Sequence, residues 1–445
     1  MSLEPNLLLD ALIDRAGLSH AGLALRLNAL GGPLGLRYDH ASVARWIRDG
    51  AVPRIPVPDM ICDLLGERLG MALTRADIGM DRREPVVATL RQTTDRAAAL
   101  WRGDFTRTQS TVAARLVTGP AAIAPVWEWE SPPDDRDVSR HGHRAVALVE
   151  VQRLKAARNH YQEMYRRVGG VPVRPRIVQV LHEEAAPLIH AAYDNAVGRE
   201  LFRAVGGLAA LAGVCAYDGD QQPLAQRYLH HALRFAKASG DRGFGGYVVA
   251  LLATHALHID EHRLVVQYTE AALRAAGATI TPALATDLHT LAAKAYARMH
   301  DASACHDQMR QSEVLAGHID HTGEPVEVSY VQPGLLECQH AEALRRLGDL
   351  SAAQAYAEES VRSLDRVHLR GRVHRLAGLA LILTARGDVD RGVHMADQML
   401  DCAAGMESGR VRDRVGTVAR ALEPYAAEPA VAGVLRRVLG YERIS

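Results

Sequence analysis

The sequence predicts an all-α protein, and three observations carry that expectation. Hydrophobic residues make up 48% of the 445 positions while aromatics make up 5%, so Ala and Leu, strong helix formers that let helices approach closely, dominate the apolar set. Beyond about residue 145, nearly every segment reads as an amphipathic helix of ten to sixteen residues. Short turns built around aspartate recur between these segments. Their aspartates, Asp220, Asp260, Asp301, Asp349 and Asp388, lie 40, 41, 48 and 39 residues apart. That is the pattern of stacked helical hairpins, in which a capping carboxylate begins the second helix of each pair. The interval of 48 contains His321-Thr322-Gly323-Glu324-Pro325, which reads as a loop insertion. At least five hairpins are expected between 195 and 440.

Three regions follow from the pattern. Residues 1–80 read as about five short helices: an apolar run from Leu7 to Ile13, a second from Ser19 to Leu30, and a third from His40, closed by Gly50 and Pro53. Two more are expected over Pro58–Leu69 and Leu73–Ile78. Residues 81–144 read as a connecting helix near 85–118, followed by an acidic, proline-bearing linker over 119–143 that includes Glu128-Trp129-Glu130-Ser131-Pro132-Pro133-Asp134-Asp135. Residues 145–445 form the helical repeat domain.

Charge narrows the partners. Lys plus Arg and Asp plus Glu are 52 each, so any nucleic-acid contact must be local. Residues 26–54 supply such a place, with Arg26, Arg37, Arg45, Arg48 and Arg54 against Asp39 and Asp49. On a helix over 40–49, Val43, Trp46 and Ile47 share one face and are expected in the core, leaving Ser42, Arg45 and Arg48 on the other. Arg37, Asp39, His40, Ser42, Arg45 and Arg48 are the candidate DNA-binding residues, arginine for guanine edges and phosphates, the others for bases or backbone near the helix start. One head makes few contacts, so specific binding implies a homodimer on two half-sites.

Ser19 to Asn28 resembles the first helix of a helix-turn-helix, and Ser42-Val43-Ala44-Arg45-Trp46-Ile47-Arg48-Asp49-Gly50 resembles the recognition helix and exit turn of the XRE (Cro/repressor-like) family. The connection Gly31–Tyr38 is longer than that family's tight turn. The downstream hairpins resemble tetratricopeptide (TPR) repeats with a longer period. Together with Tyr38-Asp39-His40, Arg166-Arg167-Val168-Gly169-Gly170 and the stretch from Leu224 to Leu233, the order is similar to actinobacterial XRE-plus-TPR regulators of development and secondary metabolism. The resemblance implies a DNA-binding transcriptional regulator whose repeats hold the dimer and take a signalling peptide, small ligand or protein in their groove. Candidate groove residues are Arg227, Tyr228, Arg234, Tyr247, His255 and Tyr268. The other reading is a repeat scaffold, or an antagonist of another regulator, without DNA contact; it draws on the head's eight arginines against nine acids.

No enzyme is expected. His258-Ile259-Asp260-Glu261-His262 fits H-x-x-E-H, yet the repeat pattern puts Asp260 in an inter-helix turn, where the two imidazoles cannot share one helix face, so no metal is assigned. Phosphate-loop, dinucleotide and nucleophile-elbow motifs are absent, and no cofactor is implied. The five scattered cysteines suit free thiols, the acidic N-terminal run lacks a signal peptide's basic start, and no apolar stretch nears 18 residues, so a cytoplasmic protein away from membranes is expected.

Overall fold

In a computed structural model the chain is all-helical, and the described residues are 6–32, 35–71, 73–75, 77–80, 89–106, 116–363 and 369–444. Among them there is no strand, only isolated bridges between Arg140 and Tyr193 and between Ala145 and Ala192. The chain divides into two compact units, 1–88 and 89–445.

The first unit holds α1 (Leu7–Arg15), α2 (His20–Leu30), α3 (His40–Arg48) and α4 (Val57–Leu69) around Leu9, Leu23, Leu27, Val43, Trp46, Ile61 and Leu65. Three caps set its helix starts. The side chains of Asn6, Ser19 and Asp39 accept from the N–H groups of Leu9, Gly22 and Ser42. Asn6 also donates through Nδ2 to the carbonyls of Ile78 (2.9 Å) and Gly79 (3.1 Å), tying the end of the unit to its beginning. The described residues of the expected fifth helix, Leu73–Ile78, form turns instead. Thr74 and Asp77 exchange local hydrogen bonds there, the usual competition between short polar side chains and helix.

Among the described residues of the second unit, α5 (Leu90–Phe105), α6 (Pro120–Glu130), α7 (Leu148–Val168) and α8 (Arg174–Val180) precede six antiparallel hairpins. These pair α9 (Asn195–Asp218) with α10 (Gln222–Ser239), α11 (Arg242–His258) with α12 (His262–Ala276), and α13 (Pro282–Arg298) with α14 (Ala302–Ala316). The remaining pairs are α15 (Leu335–Leu347) with α16 (Leu350–Arg362), α17 (Leu369–Ala385) with α18 (Val389–Ala403), and α19 (Gly409–Leu422) with α20 (Pro429–Ile444). The first helices of successive hairpins stack on one another as an inner layer, and the second helices form the outer layer. Helix α9 is, by length and composition, apolar enough to cross a membrane; 78% of its apolar window is buried, because it is the central helix of the largest core.

The hairpin turns obey the predicted spacing with a shift of one residue. Asp301, Asp349 and Asp388 cap α14, α16 and α18 as expected. In the first two hairpins Asp220 (φ 61°) and Asp260 (φ 62°) occupy the left-handed position taken by Gly348 and Gly387 in later ones. Aspartate is among the few non-glycine residues that accept that conformation.

The first half of the expected linker is not irregular but the helix α6, which buries Ala122, Ile123, Val126 and Trp129, whereas 131–143 is largely exposed. Trp101 and Trp129 are fully buried, and Trp129 lies against Gly245 on α11, where a Cβ would come within 2.2 Å of the indole nitrogen. The acidic stretch is anchored by cations of the repeats: Arg234 pairs with Asp135 (2.6 and 3.0 Å), Lys237 with Glu128 (3.0 Å) and Arg274 with Glu130 (2.9 Å). Prolines and acids marked this segment as irregular, whereas Trp129 and its apolar neighbours on α6 bury its first half and ion pairs with the repeats anchor the rest.

Candidate functional site

The first candidate is the outer face of α3. Val43, Trp46 and Ile47 are buried, with Trp46 edge-on to Tyr38 at 5.0 Å, so the helix is fixed from one side. His40 and Arg45 are exposed on the other side, and Arg37 is exposed just before the helix; Arg37 and Arg45 make no ion pair among the described residues. Arg48 is exposed and donates to its neighbour Asp49 (2.8 Å). Ser42 is placed differently from the sequence reading. It is buried at 7% exposure and donates its hydroxyl to Asp39 (2.7 Å), so both residues serve the helix cap. Two hydrogen bonds from Ser42 hold the Asp39 carboxyl below its usual range. The long connection from α2 is closed by Asn28, whose side chain accepts from the Tyr38 N–H (2.7 Å) and donates to the Tyr38 carbonyl (2.8 Å). One amide thereby does the positioning that a tight turn would otherwise do.

The second candidate is a cavity of about 630 Å³ inside the second unit, lined by all six inner helices, by α7 and by the insertion between α14 and α15. The insertion lies across the groove as a strap. Its Glu327 pairs with Arg203 (2.8 Å), Ser329 accepts from Arg166 (2.7 Å), Tyr330 donates to Asp287 (2.6 Å), and Glu324 accepts from the Ala283 N–H (3.1 Å). Arg203, aided by Arg158, holds the Glu327 carboxyl down against the opposing effect of burial.

The inner layer curls until its last helices meet its first. Asp218, at the end of α9 and fully buried, accepts from the Gly170 N–H (2.8 Å), the Ser408 hydroxyl (2.7 Å) and Arg370 (2.7 and 3.2 Å), which also lies over the Tyr165 ring at 5.2 Å. Beside it the Glu407 N–H donates to the Val168 carbonyl (3.0 Å), and Arg410 reaches Asp220 (2.9 Å) and His258. The groove is therefore bounded all round.

Of the groove residues read from sequence, Tyr247 and His255 line the cavity. Burial pushes His255 down to about 4, and its Nε2 lies 3.1 Å from the Gln222 carbonyl. Arg227, Tyr228, Arg234 and Tyr268 do not line it. They sit on the outer helices α10 and α12, where Tyr228 donates to Asp104 (2.8 Å) and Tyr268 to the Ala122 carbonyl (2.7 Å). The H-x-x-E-H segment crosses a turn: His258 ends α11, Asp260 is left-handed and His262 opens α12. What sequence reasoning missed is basic. Among the described residues, nine Lys and Arg side chains line the cavity against four Asp and Glu, and the signal was a basic residue or pair on every inner helix from α13 onward: Lys294 and Arg298, Arg345 and Arg346, Arg370 and Arg375, Arg410 and Arg414.

Residues 9–81 match the family described as the SP15 N-terminal domain, which spans most of the first unit. No curated protein matches the chain. Among solved structures, the crystal structure of a Rap protein complexed with competence and sporulation factor is similar at a TM-score of 0.42 and 10% identity, covering 66% of this chain and 98% of that one.

Proposed function

We propose that the chain is a non-catalytic regulator that binds double-stranded DNA through α3 and takes a ligand in the groove of its repeat unit. The observation that carries the DNA half is the division of α3 into two faces. Val43, Trp46 and Ile47 lock the helix to its core, while Arg37, His40, Arg45 and Arg48 are exposed. A helix held from behind and cationic in front is suited to the major groove, where arginine reads guanine in a bidentate manner.

Such a head works best in a homodimer on two half-sites about 34 Å apart. The ligand acts by favouring one separation of the heads over another, which requires that it bind the two arrangements unequally. Fluorescence anisotropy on the protein's own promoter DNA tests the reading. Arg45→Ala is expected to weaken specific binding by about 1–3 kcal/mol, and Arg37→Ala to lower the salt dependence by roughly one phosphate contact. Unchanged affinity and salt slope in both variants refute the assignment of α3. Absence of any DNA binding leaves the scaffold reading.

A further inference from the structure

We propose that the C-terminal half of the groove is a binding site for a compact ligand with an oligoanionic head, phosphate or clustered carboxylate. This inference rests on the reading of the groove as a ligand site. Three inner helices bring cations to one carboxylate: Glu342 on α15 is approached by Lys294 (3.1 Å) and Arg298 (3.5 Å) from α13 and by Arg414 (3.3 Å) from α19. These side chains are all less than a third exposed. Arg345, one turn after Glu342, adds a fourth cation with no ion pair among the described residues.

The other described carboxylates of the cavity wall are committed elsewhere. Glu327 pairs with Arg203, Asp413 with Arg410 (2.8 Å), and Asp287 accepts from Tyr330. Arg298 has a further partner in Asp260 (3.3 Å), which is exposed. Among the described residues, two or more positive charges thus remain uncompensated in a site partly withdrawn from water. Like charges held together there stabilise an anion more strongly than they would at the surface. The same field is felt locally: burial and then the charges of Arg414, Arg346 and Arg298 oppose Glu342 in lowering the proton affinity of Arg345. Arginine rather than lysine suits planar, bidentate capture of carboxylate or phosphate. The cavity volume falls in the range that encloses a compact organic molecule. Gly378 on α17 faces the same cavity, and a Cβ there meets nothing within 4 Å.

The test is calorimetric titration and thermal melting of the full chain with pyrophosphate and, separately, with citrate, each against sodium chloride at matched ionic strength. Saturable binding and stabilisation by at least one anion are expected; pyrophosphate alone identifies a phosphate head, citrate alone a carboxylate one, and both support the site. Arg345→Gln, which breaks no ion pair among the described residues, and Gly378→Leu, which only fills cavity space, are expected to weaken the anion roughly tenfold or more without lowering the ligand-free melting point by more than about 1–2 °C. Glu342→Gln is expected to tighten anion binding by removing the internal competitor. The proposal is overturned if neither anion acts beyond the salt control, or if both act equally on wild type, Arg345→Gln and Gly378→Leu. DNA anisotropy on the same preparations separates the two readings: DNA binding without anion binding overturns this inference alone, and anion binding without DNA binding overturns the head assignment alone.

Discussion

Asp218→Asn is the sharpest perturbation of the repeat unit. The carboxylate uses one oxygen for the Gly170 N–H and the other for Ser408 and Arg370, and it has no exposure to water. An asparagine must turn its NH₂ toward one of those donor sets in either orientation, and it leaves the Arg370 guanidinium without its counter-charge. Breaking a buried, hydrogen-bonded pair by removing one partner costs about 3–5 kcal/mol. A unit of roughly 360 residues unfolds with an entropy of about 0.75 kcal/mol/K, so the melting point falls by about 4–7 °C. The assay is differential scanning calorimetry of the full chain. Asp220→Asn is the control, because Asp220 is exposed and asparagine keeps its left-handed backbone; its loss is expected within about 1 kcal/mol. Adding Arg370→Met to Asp218→Asn is expected to recover part of the loss, since it removes the stranded charge. A shift of Asp218→Asn no larger than that of the control would refute the reasoning.

Three further outcomes are expected. Asn28→Ala removes two bonds to the Tyr38 backbone and should destabilise the first unit by about 2 kcal/mol in urea denaturation, with a loss of specific DNA affinity out of proportion to that of Arg48→Ala. Gly245→Ala places a methyl 2.2 Å from Trp129 Nε1 and should cost about 1–3 kcal/mol, with a changed tryptophan emission; an unaltered spectrum and stability contradict the burial of Trp129 on α6. Burial pushes both His255 and His340 down to about 4. Their folded-state values lie below the unfolded one near 6.5, so the unfolded chain binds more protons in that window. Their stabilisation is complete above about pH 6.5 and is lost as the pH falls toward 4, each contributing a loss of about 2 kcal/mol at pH 5. His340→Gln should flatten the stability difference between pH 7.5 and pH 5, and an equal difference in the variant contradicts the assignment.

The all-α class, the hairpins and the buried face of α3 were legible because each is written in local periodicity: Val43, Trp46 and Ile47 recur at helical spacing, and Asp301, Asp349 and Asp388 mark caps. Four features were not. The one-residue shift at Asp220 and Asp260 depends on which residue turns left-handed, which spacing alone does not report. Tyr228 and Tyr268 were assigned to the groove because an amphipathic helix declares an apolar face but not whether its hairpin turns that face inward. The docking of residues 119–143 on the repeats and the strap over the cavity rest on ion pairs between distant segments, as between Asp135 and Arg234 or Glu327 and Arg203. The cationic end of the groove is assembled from helices α13, α15 and α19, so only their stacking brings Lys294, Glu342 and Arg414 within reach of one another.

The meeting of the first and last inner helices has a consequence for how this unit can be built and cut. In an open array each repeat touches only its neighbours, so folding can begin anywhere and terminal repeats can be lost one at a time. Here Asp218 needs Ser408, 190 residues beyond it, and Val168 needs Glu407. Such pairings close late and slowly, after most of the chain has been ordered. Removal of α19 and α20 should therefore expose Asp218 and loosen α7 and α9 at the far end of the sequence, and modularity, the property that makes repeat arrays easy to shorten, is given up.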